Sequence, residues 1–255
     1  MNILVLGDVV SDHGCDFLMK RLPPLKKLKS VDLCIANGEN SAVGNGILPG
    51  SAQSLFDCGV DVITTGNHVF RRREIYSLLD ECDRLVRPAN YAPSNPGKGV
   101  CTVDMGRCRV CVINLAGNYG LDVADNAFRC VERILKDVRE KIIIVDFHAE
   151  ATSEKRAMGF FLDGRVSAVF GTHTHVQTAD EQVLPNGTGY ITDVGMCGVI
   201  DSVLGVKKEI IVKKMLDNMP ARFDAADGEC MINGCIFEID EKTGKCLSVE
   251  RLIVK

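Results

Sequence analysis

The sequence predicts an α/β protein in which two sheets pack face to face with helices outside. Three observations predict this. Apolar runs rich in β-branched residues recur at 3–6, 31–36, 60–64, 110–115, 142–147 and 166–170. Amphipathic segments long enough for crossover helices separate these runs, which favours parallel pairing. After about residue 180 the pattern changes to short runs at 188–192, 230–239 and 247–254, which are typical of antiparallel strands.

Two helices and one hairpin can be placed from the pattern. A helix is predicted over 123–141, with an apolar stripe and no glycine at its end. That stripe consists of Ala127, Val131, Ile134, Leu135 and Val138. A second helix is predicted near 207–218, and residues 240–244 read as the turn of a hairpin.

Composition indicates a globular protein with a balanced charge. The 255 residues include 46% apolar and 25% charged residues, with a net charge of −4. They contain no repeat or linker, so we expect one domain over 1–255. A core of this size needs no metal to remain folded, so a bound metal is expected to be functional. The charge balance argues against a double-stranded DNA groove.

No membrane span and no secretion signal are recognisable. A span needs about 18 uninterrupted apolar residues, and no run approaches that length. The N-terminal run lacks a basic region and reaches Asp8 too early for a signal peptide. We therefore expect a cytoplasmic protein, without contact to a membrane.

The twelve cysteines are interpreted as small buried hydrophobes in a reducing compartment, because they are spread through apolar runs. Cys108 and Cys111 form a C-x-x-C motif inside a strand-like run. Positions three apart on a strand face opposite sides, so this motif is not expected to bind zinc.

Polar residues cluster where the predicted strands end. They are Asp8; Asn37, Glu39 and Asn40; Asn67 and His68; His148; and His173 and His175. Because the carboxyl ends of the strands share one edge of an open α/β sheet, these side chains are expected to converge. Four of the five histidines of the chain belong to this set.

This set of donors indicates a metal site. Carboxylates, amides and imidazoles without thiolates suit Mn, Fe or Zn. The donors exceed what one tetrahedral ion needs, and Glu39 can bridge, so we predict two ions about 3.5–4 Å apart. Gly7, Gly38, Gly66 and Gly171 lie beside the candidates, where we expect tight turns that bring the backbone close to the ions.

Taken one at a time, these residues have ordinary explanations. Asp8 suits a helix cap or a turn, Asn67 and His68 suit a turn, and His148 suits a hydrogen-bonded histidine between two acids. Their joint occurrence at successive strand ends is what favours a metal centre.

The order Gly-Asp8, Gly-Asn67-His68, His148 and Gly171-Thr-His173-Thr-His175 resembles the calcineurin-like metallophosphoesterase signature. More narrowly, Asn37-Gly-Glu39-Asn40, Arg87-Pro-Ala-Asn90 and Thr192-Asp193-Val-Gly resemble the bacterial YmdB-like branch over nearly the full length. That resemblance implies a four-layer α/β/β/α sandwich with two mixed sheets. It also implies a phosphodiesterase acting on 2′,3′- or 3′,5′-cyclic nucleotides, or on related phosphoesters, through a metal-bound hydroxide.

The resemblance also implies roles for individual residues. One ion would take Asp8, Glu39, Asn40 and His175, and the other Glu39, Asn67, His148 and His173. His68 would protonate the leaving group as the general acid. Val10 replaces a histidine of the wider superfamily and Glu39 replaces an aspartate; the YmdB-like branch shares both changes. With the amide of Asn40 as a donor, Fe or Mn is favoured and Zn is the alternative.

The sequence lacks the motifs of several other enzyme classes. Gly44-Asn-Gly46 does not complete a G-x-G-x-x-G motif, and no P-loop or G-x-S-x-G motif occurs, which argues against a dehydrogenase, a kinase or a serine hydrolase. The remaining alternative is a regulatory module, related to nucleotides or RNA, that keeps the metal centre with little turnover. The sequence leaves the oligomeric state open, a homo-oligomer included.

Overall fold

The computed structural model describes residues 1–121 and 124–255, which contain thirteen strands and six α-helices. The first half comprises β1 (Asn2–Leu6), β2 (Asp8–Val9), α1 (Ser11–Leu28), β3 (Leu33–Asn37), α2 (Pro49–Asp57), β4 (Val62–Thr64), a 3₁₀ turn (Arg73–Ile75), α3 (Tyr76–Glu81), β5 (Val100–Asp104) and β6 (Arg109–Ala116). The second half comprises α4 (Ala127–Asp137), β7 (Ile142–His148), α5 (Thr152–Leu162), β8 (Ala168–Thr172), β9 (Gln182–Val183), β10 (Gly189–Ile191), β11 (Met196–Val199), α6 (Lys208–Asp217), β12 (Cys230–Ile239) and β13 (Cys246–Val254).

The strands form two mixed sheets. The first has the order β2-β11-β12-β1-β3-β4, with β13 paired to β12, and the second has the order β5-β6-β7-β8-β10-β9. Within the first sheet β1, β3 and β4 run parallel while β12 is antiparallel to β1. Within the second, β6, β7, β8 and β10 run parallel. The prediction of two mixed sheets is therefore confirmed.

The alternation of side chains along the strands divides the core into layers. Ile3 and Val5 of β1 belong to a cluster shared with Val112 of β6, so this cluster lies between the two sheets. Leu4 and Leu6, on the opposite face of β1, pack in a cluster with α1 and α2. A third cluster joins the outer face of β7 to α4 and α5. These three interfaces give the predicted four-layer α/β/β/α order.

Most predicted elements are present with small shifts of their ends. The predicted helix over 123–141 is shorter: α4 begins after Asn126, whose side chain accepts a hydrogen bond from the Arg129 backbone N–H. It ends at an extended Val138 without a glycine cap, as predicted. The predicted first residue, 123, lies outside the described residues. Strands β2, β5, β9 and β11 were not predicted, since they are short or lie near a sheet edge, where the apolar pattern is weak.

All twelve cysteines are described and none forms a disulfide, as expected from their distribution. Cys108 packs against the core between the sheets, while Cys111 lies in the outer cluster beneath α4 and α5. The two thiols therefore face opposite sides of the sheet. Within the described residues, no helix has both the length and the apolar character that crossing a membrane requires.

Candidate metal centre

The candidate ligands meet at one edge of the molecule, where strands of both sheets end. The first sheet contributes the residues that follow β1, β3 and β4, and the second contributes the end of β7 and the loop after β8. His148 is the last residue of β7 and is completely buried, as are Asp8 and Glu39. The stacking of the two sheets therefore brings together residues that lie far apart in the sequence.

One group of donors surrounds the His148 Nε2 atom. This nitrogen lies 3.0 Å from Glu39 Oε1, 3.0 Å from Asn67 Oδ1 and 3.1 Å from His173 Nδ1. The ligand atoms of Glu39, His148 and His173 all lie within 4.8 Å of one another. Donors on an octahedral ion with bonds of about 2.1 Å are separated by about 3.0 Å along each edge. The spacing of this group fits a transition-metal ion.

Hydrogen bonds hold the His148 ring so that Nε2 faces this group. His148 Nδ1 donates to Thr172 Oγ1 at 2.9 Å, and that hydroxyl donates to Asp146 Oδ1 at 2.7 Å. Burial raises the pKa of Asp146 to about 7, against the opposing effect of its hydrogen bond from Thr64. Asp146 therefore acts on the imidazole through Thr172, in the way that hydrogen-bonded partners commonly orient metal-binding histidines.

A second group consists of Asp8, Asn40 and His175. His175 Nε2 lies 3.5 Å from Asp8 Oδ1, and Asn40 Nδ2 lies 3.3 Å from His175 Nε2 and 3.4 Å from Asp8 Oδ1. His175 Nδ1 donates to the Leu204 carbonyl at 3.2 Å, which directs Nε2 toward the carboxylate. Asn40 Nδ2 also lies 3.4 Å from Glu39 Oε1, so that oxygen is shared by both groups.

His68 lies beside the two groups. Its backbone N–H donates to Glu39 Oε2 at 2.9 Å, and its ring Nδ1 is 3.0 Å from Asn40 Oδ1. Burial lowers the pKa of His68, although the charge of Glu39 opposes this effect. Nε2 of this ring has no hydrogen-bond partner among the described residues, so it is the nitrogen available to a substrate.

The charges of the buried groups are strongly coupled. Burial opposes a charge on His148, but the carboxylate of Glu39 outweighs it and raises the pKa of His148 to about 9. The same imidazolium lowers the pKa of Glu39 despite burial. Burial and repulsion by His148 lower the pKa of His173 to about 4. The carboxylates thus stabilise a positive charge at His148 Nε2. This is the position at which the first group of donors would bind a cation.

The loop after β8 holds two histidines in an uncommon backbone conformation. His173 has φ = 99° and His175 has φ = 64°, a region that costs other residues than glycine about 1–3 kcal/mol. Asp193 anchors the residue between them, because its Oδ2 accepts from Thr174 N at 3.2 Å and from Thr174 Oγ1 at 2.8 Å. Lys155 Nζ donates to the same oxygen at 2.6 Å.

The glycines beside the ligands are needed for packing. A Cβ atom at Gly66 would lie 2.2 Å from the His148 ring, and one at Gly171 would lie 1.9 Å from the Thr192 carbonyl oxygen. Gly7 and Gly38 are likewise closely packed against protein atoms. None of these four has a positive φ. They let strand ends and the His148 ring approach one another. The expected tight turns are present at two of them, because the Ser41 N–H donates to the Gly38 carbonyl at 3.1 Å and the Val69 N–H donates to the Gly66 carbonyl at 3.3 Å. Gly7 and Gly171 instead lie between or within strands.

All eight predicted site residues lie at this edge. The structure adds Thr172, Lys155 and Leu204, which carry no motif of their own in the sequence. Glu150 Oε2 contacts His173 Nε2 at 3.0 Å, so that imidazole directs Nδ1 toward the first group. His13 lies elsewhere, on α1, with Asp12 and Asp227 as its partners.

The fold and the site together define a metallophosphoesterase-type protein. The family model for YmdB-like proteins matches residues 4–252, so the chain belongs to the YmdB-like family. The 2′,3′-cyclic-nucleotide 2′-phosphodiesterase of Bacillus subtilis (strain 168) is 44% identical over 256 residues, covering 100% of this chain and 97% of that protein. A protein of Mycoplasma pneumoniae described as a putative phosphatase/phosphodiesterase is 34% identical and covers 99% of this chain and 92% of its own length.

Solved structures of related proteins have the same fold. A hypothetical protein from Thermus thermophilus superposes with a TM-score of 0.94 at 38% identity, covering 100% of this chain and 99% of the other. A phosphatase from Mycoplasma pneumoniae has a TM-score of 0.94 at 33% identity, covering 100% and 93%. A protein from Staphylococcus aureus described as a putative 5′-nucleotidase, at 17% identity, shares the fold, with a TM-score of 0.59 over 99% of this chain and 54% of that one. The predicted family and the prediction of a phosphodiesterase are confirmed.

Proposed function

We propose that this protein hydrolyses 2′,3′-cyclic nucleotides with the help of two transition-metal ions. The observation that carries the proposal is the pair of donor groups that share Glu39 Oε1, each with spacings that suit one ion. The Bacillus subtilis relative, whose sequence aligns over the whole of this chain, is named for the same substrate class.

The donors divide between two ions. Asp8, Glu39, Asn40 and His175 would hold one, and Glu39, Asn67, His148 and His173 the other. In the structure, the side-chain amide of Asn40 directs Nδ2 toward Asp8 and Oδ1 toward His68. A half-turn of this amide exchanges the two atoms and presents Oδ1 to the cation. Because the set contains amide oxygens and no thiolate, it favours Fe or Mn, with Zn as the alternative.

Bound ions would polarise the phosphoryl oxygens and supply a hydroxide nucleophile at neutral pH. The residues of the chain position the rest of the reaction. Hydrolysis of a 2′,3′-cyclic phosphate breaks the bond between phosphorus and one ribose oxygen, which leaves as an alkoxide and takes up a proton. His68 is placed to give that proton from Nε2, because its Nδ1 is occupied by Asn40. Such general-acid catalysis contributes typically about 10²–10⁴-fold to a rate.

The test is to measure metal content and hydrolysis on the same preparation. We expect about two Fe or Mn ions per chain and conversion of adenosine 2′,3′-cyclic phosphate to adenosine 3′-phosphate. Glu39→Gln should lose metal and activity together, because one oxygen serves both groups. Glu132→Gln, on the exposed face of α4, is the matched control and should keep both.

The outcome decides between the two functions that the sequence left open. Tight nucleotide binding with two bound ions and no hydrolysis of 2′,3′- or 3′,5′-cyclic nucleotides would contradict the proposal and favour a regulatory module. Full activity of Glu39→Gln would contradict the shared-ligand assignment.

A further inference from the structure

A cavity of about 690 Å³ opens directly beside the metal centre. Asn40 and His175 line it, so the cavity is continuous with the group of donors assigned to one ion. Its volume lies within the range of about 300–1,000 Å³ that is usual for small-molecule sites. The metal ligands account for only a small part of its lining, and the remainder is free to contact the part of a substrate that does not react.

One wall of the cavity is formed by two segments, 204–206 and 221–225, that are hydrogen-bonded to each other. The Lys207 N–H donates to the Asp224 carbonyl at 3.1 Å, and the Ala226 N–H donates to the Gly205 carbonyl at 2.9 Å. Leu204, in the first of these segments, also accepts the hydrogen bond from His175 Nδ1. The wall is thereby fixed relative to the metal centre.

Phe223 is the aromatic residue of this wall. Its side chain is 43% exposed and is therefore accessible to a ligand. It also lines a second, apolar cavity, and Lys214 of that second cavity places Nζ 4.8 Å from the ring centroid. Phe223 therefore borders both cavities, and the Lys214 ammonium lies against its ring.

The charge of the cavity suits an anionic ligand. Arg72 and Arg222 line it together with Asp224, which leaves an excess of one positive charge in a protein whose net charge is −4. Arg72 donates to the carbonyls of Val43 and Asn45, at 2.6 and 3.1 Å, and so holds the loop on the near side. Arg222 has no hydrogen-bond or ion-pair partner among the described residues.

We propose that this cavity binds the nucleoside part of the substrate and that Phe223 determines specificity by stacking on the nucleobase. The inference rests on the proposed function, since it places the phosphate at Asn40 and His175. Every base has a π-face, so stacking accepts any base and rejects a ribose phosphate that lacks one. The substrate class is therefore a nucleoside 2′,3′-cyclic phosphate with little preference among bases.

The first test compares two substrates that share the reacting ring. We would measure kcat/KM for adenosine 2′,3′-cyclic phosphate and for 1-O-methylribose 2′,3′-cyclic phosphate, which has no base. Phe223→Ala should lower the ratio of the two by about 5- to 140-fold, which corresponds to stacking of about 1–3 kcal/mol at 1.4 kcal/mol per tenfold. The loss should appear mainly in KM, and Phe223→Tyr should retain the ratio.

Phe160→Ala is the matched control. Phe160 is also exposed, at 54%, and also carries a cation, with Arg156 at 4.6 Å from its ring centroid, but it lies on α5 outside the cavity. This variant should leave the ratio unchanged. An unchanged ratio in Phe223→Ala would overturn the proposal even while cyclic nucleotides are hydrolysed, so its failure is distinct from failure of the proposed function.

A second test does not depend on turnover. The chain contains no tryptophan, so Phe223→Trp introduces a single tryptophan, which can be excited selectively, into the wall of the cavity. Adenosine 3′-phosphate should quench its emission in a saturable manner, whereas ribose 3-phosphate at the same concentrations should not. Equal responses to both ligands, or to neither, would overturn the stacking assignment whether or not the protein hydrolyses a phosphodiester.

Discussion

The buried ion pair between Lys155 and Asp193 gives the sharpest prediction for stability. Both side chains are 1% exposed and their charged atoms lie 2.6 Å apart. Replacing Lys155 by Met removes the ammonium but retains much of the stem, which packs against Gly171. Asp193 is then left as a buried carboxylate, in surroundings where burial already raises its pKa.

The magnitude follows from what remains around Asp193. Removing one partner of a buried pair costs about 3–5 kcal/mol. Three donors stay in place, namely the N–H and hydroxyl of Thr174 and the Gly195 N–H, so the lower end of that range applies. For a chain of this size, a loss of about 3 kcal/mol lowers Tm by about 6–12 °C. The loss of about 3 kcal/mol is a large fraction of the free energy of unfolding of an ordinary domain, which is about 5–15 kcal/mol.

A double-mutant cycle tests this prediction. It compares the thermal and urea unfolding of Lys155→Met, Asp193→Asn and the double variant. The double variant should be more stable than Lys155→Met, because it removes the uncompensated charge. Lys213→Met, which breaks a surface pair with Asp217, is the control and should leave Tm unchanged. A fall in Tm below about 2 °C for Lys155→Met, or strictly additive effects, would refute the reasoning.

Three further predictions concern the metal centre. His68→Ala should keep both ions yet lower kcat by about 10²–10⁴-fold on an alkyl ester and far less on a nitrophenyl ester, whose leaving group needs little protonation; equal losses on both would contradict the acid role. Asn40→Ala should lose one ion selectively and most of the activity, whereas Asn40→Asp should retain the ion, as metal analysis of the purified variants would show. Finally, an ion must displace the proton that His148 holds up to a pH of about 9, so the affinity of the metal-free protein for Mn²⁺ should rise with pH between about 6 and 9 and calorimetry should detect proton release; an affinity independent of pH would contradict this.

The convergence of the candidate ligands at one edge could be predicted from the sequence, because each of them follows an apolar strand closely. Asp8, His148 and His173 need only the rule that parallel strands end at a common edge, and the stacked sheets do bring them together. For the glycines the prediction was partly right, because tight turns do begin at Gly38 and Gly66, whereas the close packing of all four against protein atoms was not predicted. Whether Gly66 faces an ion or the ring of His148 depends on how closely two sheets approach, and strand patterns do not contain that distance.

The supporting residues could not be predicted in the same way. Lys155 lies within a helix pattern, where a lysine normally indicates an exposed position, and only the packing of α5 on β8 buries it beside Asp193. Phe223 lies in a segment without strand or helix periodicity, so its place in the cavity wall depends on the bridge between Val206 and Ala225. Both positions are set by tertiary contacts, and local sequence carries no signal for them.

The replacement of an imidazole by Val10 is connected with the cavity. A Cβ atom at Gly205 would lie 2.4 Å from Val10 Cγ1, so the valine side chain is packed against the 204–206 segment. That segment supplies the carbonyl that orients His175 and forms the wall that holds Phe223. A larger ring at position 10 would need the space that the segment occupies, and Asn40 now approaches the same donors from the loop after β3. With Asn40 as the proposed ligand in place of position 10, room is left for the wall that we propose recognises the nucleoside.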